Sequence, residues 1–452
     1  MRRKHLRGLI YLLIGVLVFE GIVRKLLPEF ASQVLIFAKD VVALLITVAV
    51  LNRPLPKSVE LMRFLWFGLM VAMVPLFVLT ALHDPVLAIF GLKQYILYFP
   101  VVFAIPIAFR YNSKIPIEAL ALGRFFAFLI VPTSILALIQ IALPDSHWLN
   151  LSVSGEDLSG FSAGGFLRVS STFPFISQYN FFLTFVAGWV AFGIQFPGKR
   201  WVAWVIRSWI VLPAYMIGLF ATGSRQSVVG AAIIVAVAAL IAAISGRVLV
   251  VRRFLLLALG TVVSLLVAQW LFPSAFGAYE ARTGGETFSA EHSTEMAERL
   301  NQALFGWTYF GTKSDAGLFG NGIGIMSNGS QQLSEYAAEQ RDRFGWGEVD
   351  LANTVFEGGY YLIFMWMIFR VTVIIICFSY IQKIRSNAFL IPASLAFGFV
   401  VFNGAVGTLG IQPPLYLWWA FSIGSIILFV DIEREMRLAR KKKKEENAIA
   451  IA

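Results

Sequence analysis

The chain reads as an all-α integral membrane protein of about twelve transmembrane helices with one large, partly helical outer loop. Three observations predict this. Of 452 residues, 58% are hydrophobic and the mean hydropathy is +0.76. Apolar runs of about 20 residues, the length that crosses a hydrocarbon core as helix, recur along the chain. Nearly all the remaining mass falls in one stretch, residues 273–350. Helices follow because lipid cannot satisfy an open backbone.

The first run, 8–23, follows MRRKHLR and has the look of a secretory signal. Phe19-Glu20-Gly21 is not a small-residue cleavage site, so the run is expected to stay as the first span. Further spans are predicted near 33–51, 60–82, 86–109, 119–143, 174–196, 201–220, 226–244 and 249–272, giving a nine-helix region over 1–272. After the 273–350 loop, spans near 352–380, 388–406 and 415–430 form a three-helix region over 351–430, and 431–452 is a basic tail.

Orientation follows from Lys and Arg. With loops assigned to alternate sides, one side holds 22 basic residues: Arg2, Arg3, Lys4, Arg7, Arg53, Lys57, Arg110, Lys114, Lys199, Arg200, Arg247, Arg252, Arg253, Lys383, Arg385, Arg434, Arg437, Arg440 and Lys441 to Lys444. The other holds nine: Arg24, Lys25, Arg168, Arg225, Arg282, Arg299, Lys313, Arg341 and Arg343. Both termini are therefore expected in the cytoplasm and the long loop outside. The net charge of +11 is mostly topology, which argues against a nucleic-acid partner. The tail is basic enough to lie against anionic lipid. Cys377, the only cysteine, sits inside a span, so the outer loops have neither a disulfide nor a thiolate metal site.

Charges within spans are costly, so their depth is informative. Arg63, Arg124 and Arg207 lie where a long side chain reaches the cytoplasmic interface. Glu20, Lys39, Asp40 and Lys93 lie in the middle or outer half of their spans and point to a polar cavity opening outward. The alternative is simple pairing, as between Glu20 and Arg24 at four-residue spacing. Lys39 and Asp40 are consecutive, so at least one should line a protein interior. Arg370 is deep in its span with no partner legible.

In the outer loops, Arg168 precedes a span and Arg225 sits in the short turn ATGSRQS between two spans. A guanidinium there presents a planar fork of donors suited to phosphate, or serves as an interfacial anchor. Met296, Leu300, Leu304 and Trp307 recur at helical spacing, predicting an amphipathic helix over 291–307, and a second, polar helix is expected over 331–343. Between them, GLFGNGIGIMSNG has the glycines of tight turns; no strand precedes it, which excludes a nucleotide loop. Glu348, Asp350, Glu357 and His292 are the acid–base groups near this surface.

Taken together, Arg168 with Ser171, Thr172, Phe173 and Asn180, the Ser224-Arg225 pair, Arg299 before Trp307, Gly320, Gly322 and Gly324, and Asn353 followed by Glu357 and Gly358 resemble the pattern of the O-antigen polymerases and O-antigen ligases, bacterial membrane glycosyltransferases. The resemblance covers residues 160–360. It departs at Ala352, where ligases of the family have a His, and this favours polymerase over ligase.

The resemblance implies a bacterial plasma-membrane enzyme that joins polyprenyl-diphosphate-linked glycan units on the outer face. Its partners would be that lipid-linked donor, a glycan acceptor, membrane lipids and other polysaccharide-assembly proteins. On this reading Arg168, Arg225 and Arg299 hold the donor diphosphate and stabilise the charge that develops as the glycosidic bond breaks. Glu357 or Asp350, with His292 behind them, takes the acceptor's proton. Lys39, Asp40, Lys93 and Asn353 support the site. The outer loops lack an acidic pair of the Asp-x-Asp kind, so no essential metal is expected, and no cofactor. The competing classes are a twelve-span carrier or lipid flippase, and a scaffolding protein in which the arginines would be replaceable.

Overall fold

A computed structural model describes residues 3–110, 117–155, 162, 167–195, 201–271, 273, 276–277, 290–327, 329–345 and 349–451, and among these every regular element is a helix. In chain order they are α1 (Arg3–Leu26), α2 (Glu29–Leu35), α3 (Ala38–Leu51), α4 (Glu60–Ala81), α5 (Pro85–Ile96), α6 (Val101–Phe109), α7 (Ile117–Ala142), α8 (Ile176–Gln195), α9 (Trp201–Ala221), α10 (Arg225–Ile244), α11 (Val248–Leu271), α12 (Ala290–Lys313), α13 (Ser330–Leu333), α14 (Glu335–Phe344), α15 (Asp350–Ile381), α16 (Asn387–Val406) and α17 (Pro413–Ile451).

Every predicted apolar run is helical, those at 33–51 and 86–109 each as a broken pair of helices. Eight helices among the described residues are long and apolar enough to cross a membrane, with α2 and α3 taken as one. The pair α5 and α6, bent by 44° at a short break ending in Pro100, adds a ninth, and the other three runs form α8, α9 and α11. The protein is a multi-pass membrane protein. Two expectations need adjusting. The polar helix predicted over 331–343 is interrupted at Ser334, whose extended backbone ends α13 while its hydroxyl caps α14. The basic tail continues the last apolar run as one helix to Ile451.

The centre of the bundle is α16 and the apolar half of α17, packed against α8, α10 and α6. Small residues let the backbones close up. A Cβ on Gly398 would press on the Ile234 backbone of α10, and one on Gly188 would come within 3.2 Å of the Pro392 carbonyl. Aromatic rings fill the rest: Phe185 stacks on Trp418 with centroids 4.5 Å apart, and Phe126, Trp189 and Phe421 surround them. In lipid, where the apolar effect drives little helix association, such close contact is the main cohesive force.

Helix ends fall into two sets, as alternating directions require. On one face the Ser58 hydroxyl donates to Asp431 at 2.7 Å, Arg110 pairs with Glu435, and the Arg385 and Ser386 amides donate to Glu433, so α17 clamps three turns. We call this the tail face. On the opposite face, Ile22 N donates to Thr172 O at 3.0 Å, Lys25 Nζ to Leu149 O at 2.7 Å and Ile323 N to Thr80 Oγ1 at 3.0 Å. This loop face gathers residues 143–155, 167–173 and 221–225 and the described residues from α12 to the start of α15.

Candidate functional site

The loop-face site is built around a broken helix. In α15 the backbone leaves helical geometry at Gly358 (φ −129°) and Gly359 (φ 62°, ψ −162°). The second conformation is open essentially to glycine alone. The glycine-rich segment takes up the backbone groups this releases: Asn321 N donates to Phe356 O, Gly322 N to Glu357 O, Tyr360 N to Gly317 O and Tyr361 N to Leu318 O. A non-helical backbone at this depth needs such partners. Gly91 of α5 and Gly324 approach so closely that neither position has room for a Cβ.

Glu357 locks this arrangement. Its carboxylate accepts from the Tyr95 hydroxyl at 2.8 Å and from Met326 N at 2.8 Å, and it is fully buried. Asp350, at the start of α15, accepts from Gly410 N at 2.9 Å and forms a buried ion pair with Arg370, the intramembrane cation whose partner the sequence left unnamed. Arg370 also lies over the Trp366 ring, 4.9 Å from its centroid. Removing one member of such a buried pair costs about 3–5 kcal/mol. Both predicted carboxylates are therefore enclosed in hydrogen bonds. Asn353 is buried on the same turn of α15.

The predicted supporting charges form two further buried clusters. Glu20 is shared by Lys39 at 3.1 Å and Arg24 at 3.6 Å, and Arg24 Nε donates to Ser32. Asp40 takes Lys93 at 2.7 Å and the Tyr98 hydroxyl at 2.6 Å. Both consecutive residues Lys39 and Asp40 face the interior, one more than their spacing demanded. Beside them lies a largely apolar groove of about 360 Å³ between α3 and α5, lined by Val41, Leu44, Ile89 and Leu333 together with Asp40 and Lys93. Lys93 Nζ sits 4.1 Å above the Phe90 ring.

Arg168 is bonded to the α9–α10 turn, which leads into Arg225. Arg168 Nε donates to Thr222 O at 3.2 Å, and Arg225 is the first residue of α10, three positions on. The segment carrying Arg168 is tied down by Ser171, which holds a left-handed φ of 54° because its amide donates to Gln140 Oε1 at 2.8 Å and its hydroxyl to Thr133 O at 2.6 Å. Below the turn, Ser227 joins Asn180 to Thr222. Arg299 and His292 lie on α12, with side chains outside the described residues, as is all of Glu348. Trp307 of the predicted amphipathic face packs on the Tyr360 and Phe364 rings, while Leu304 stays exposed.

Sequence reasoning missed Tyr95, Gln140, Thr222 and Thr80, all polar side chains in or beside apolar runs. Their signal is weak, although a tyrosine deep in a span needs an acceptor. The Gly-Gly pair at 358–359 inside an apolar run is the clearest overlooked sign of a break. Among the described residues no group of three or more His, Cys, Asp or Glu is placed to hold a metal. No protein-family model matches the chain, and no curated protein matches it at a significant level.

Proposed function

We propose that the protein is a bacterial plasma-membrane glycosyltransferase of twelve spans, with both termini cytoplasmic, that extends a polyprenyl-diphosphate-linked glycan at the outer face. The observation that carries this reading is the hydrogen bond from Arg168 to the turn that opens Arg225's helix, on the face that gathers the long loop. Two guanidiniums at one turn suit a diphosphate, because each presents paired donors that stay charged at any relevant pH. No nucleotide-activated sugar is expected outside the cell, so the donor must arrive already activated and membrane-held.

In the reaction Arg168 and Arg225, with Arg299 from α12, stabilise the charge left on the diphosphate as the glycosidic bond breaks. An acidic group takes the acceptor hydroxyl's proton. Glu357 is the leading candidate of the set that also contains Asp350 and His292, because Asp350 is committed to Arg370 whereas among the described residues no cation is bonded to Glu357. Ala352 at the ligase His position supports chain extension over transfer to a final acceptor.

A second reading, a lipid-linked-glycan transporter, draws support from two broken helices, α5–α6 and α15, since discontinuous helices build transporter sites. Reconstitution separates the two. Purified protein in liposomes, given polyprenyl-diphosphate oligosaccharide, should lengthen the glycan in register with the repeat unit. Movement of unaltered lipid between leaflets, with no lengthening, would favour the transporter.

A further inference from the structure

Helix α14 is seated over the break in α15. Ser334 Oγ accepts from Ala337 N at 3.1 Å, the Tyr336 hydroxyl donates to Asn321 O at 2.9 Å, and Phe344 meets Phe356 with ring centroids 5.4 Å apart. Ala337 is buried against Leu87, Ile325, Met326 and Phe356. Arg341 follows Ala337 by four residues and precedes Phe344 by three, so it shares their inward face. Its Nε is buried without an acceptor, and its guanidinium has no hydrogen bond or ion pair among the described residues.

The carboxylates whose charge reaches Arg341 are Glu357 and Asp342. Glu357 is not bonded to it; its carboxylate oxygens accept from Tyr95 and Met326. Burial pulls the Arg341 guanidinium below its ordinary value, against the pull of both carboxylates. A guanidinium half out of water with no bonded counter-ion is costly to hold and keeps its donors available.

We propose that Arg341, over the glycine-rich segment, is an oxyanion-binding residue on the loop face that takes a phosphate or carboxylate group of the glycan substrate. This site is distinct from the Arg168–Arg225 turn: Arg341 is on α14, which packs on α5 and α15 through Ala337, whereas Arg168 bonds to the turn between α9 and α10 that precedes Arg225. The identity of the anion's bearer rests on the function proposed above, but the binding does not.

The test uses full-length protein in phosphatidylcholine nanodiscs and two probes, inorganic diphosphate and a glucuronate-containing disaccharide, each titrated calorimetrically. In an Arg225→Gln background one of the two probes should still bind. Adding Arg341→Gln should weaken that binding at least tenfold, and Arg341→Lys should weaken it less. Diphosphate as the retained probe identifies a phosphate group, and glucuronate identifies an acidic sugar. Failure of Arg225→Gln protein to bind either probe, or unchanged affinity in Arg341→Gln with an unchanged unfolding midpoint, would overturn the proposal. Binding without glycan transfer would instead count against the function proposed above and leave the site standing.

Discussion

The Tyr95 hydroxyl donates to Glu357 Oε2 at 2.8 Å and so joins two broken helices within a few residues of each break. Tyr95 lies one turn before the bend between α5 and α6, and Glu357 directly precedes the Gly358-Gly359 break in α15. Tyr95→Phe would leave a buried carboxylate oxygen without its donor, a loss of about 1–3 kcal/mol. Thermal unfolding in detergent should show a lowered midpoint with normal expression. An unchanged midpoint would mean that the bond contributes nothing to the joint.

Gly359 carries a backbone conformation closed to other residues, and a Cβ there would strike the Leu318 carbonyl. Gly359→Ala should therefore reduce folded protein severely, by about 1–3 kcal/mol of backbone strain plus the collision. Gly68→Ala, where nothing lies within 4 Å of an added Cβ, should be silent. Equal yields of the two variants on size-exclusion chromatography would contradict the broken-helix account.

The apolar helices were legible because length and apolarity are enough to define a helix in lipid, although the runs at 33–51 and 86–109 are each broken into two helices, and eight or nine spans pass the test of length and apolarity among the described residues. What joins the helices was less legible. Arg370 and Asp350 lie 20 residues apart on α15, and only the fold shows that the guanidinium reaches the aspartate. Lys39 and Asp40 announced an interior position, but their partners Glu20 and Lys93 belong to other helices and no local spacing names them. For the candidate site, Arg168 and Arg225 stood out as lone loop arginines. The bond from Arg168 to Thr222 O, in the turn before Arg225, is a long-range contact that one sequence does not encode visibly.

Arg225 opens α10 at the loop face, where a fork of donors suits two phosphate groups. Arg225→Lys keeps the charge and loses the fork, so glycan transfer should fall at least tenfold while protein levels stay normal. Full activity in Arg225→Ala would leave Arg225 as an interfacial anchor.

On the proposed orientation, argued from the 22 to 9 division of basic residues, the loop face lies outside. In a Cys377→Ser background, a cysteine at Glu339, an exposed position on α14, should react with a membrane-impermeant maleimide in intact spheroplasts. One at Glu445 on the tail should react only after lysis. The reverse pattern would invert the topology and remove the mechanism with it.

Lengthening of lipid-linked glycan at the loop face is tested most directly in a deletion strain. Glycan length and membrane leaflet should be resolved together in cells lacking the gene. Loss of long chains, with single repeat units accumulating on their lipid in the outer leaflet, is the predicted result. Long polyprenyl-linked polymer that never reaches its final acceptor would identify a ligase, and single repeats trapped on the cytoplasmic leaflet a transporter; either outcome contradicts the account.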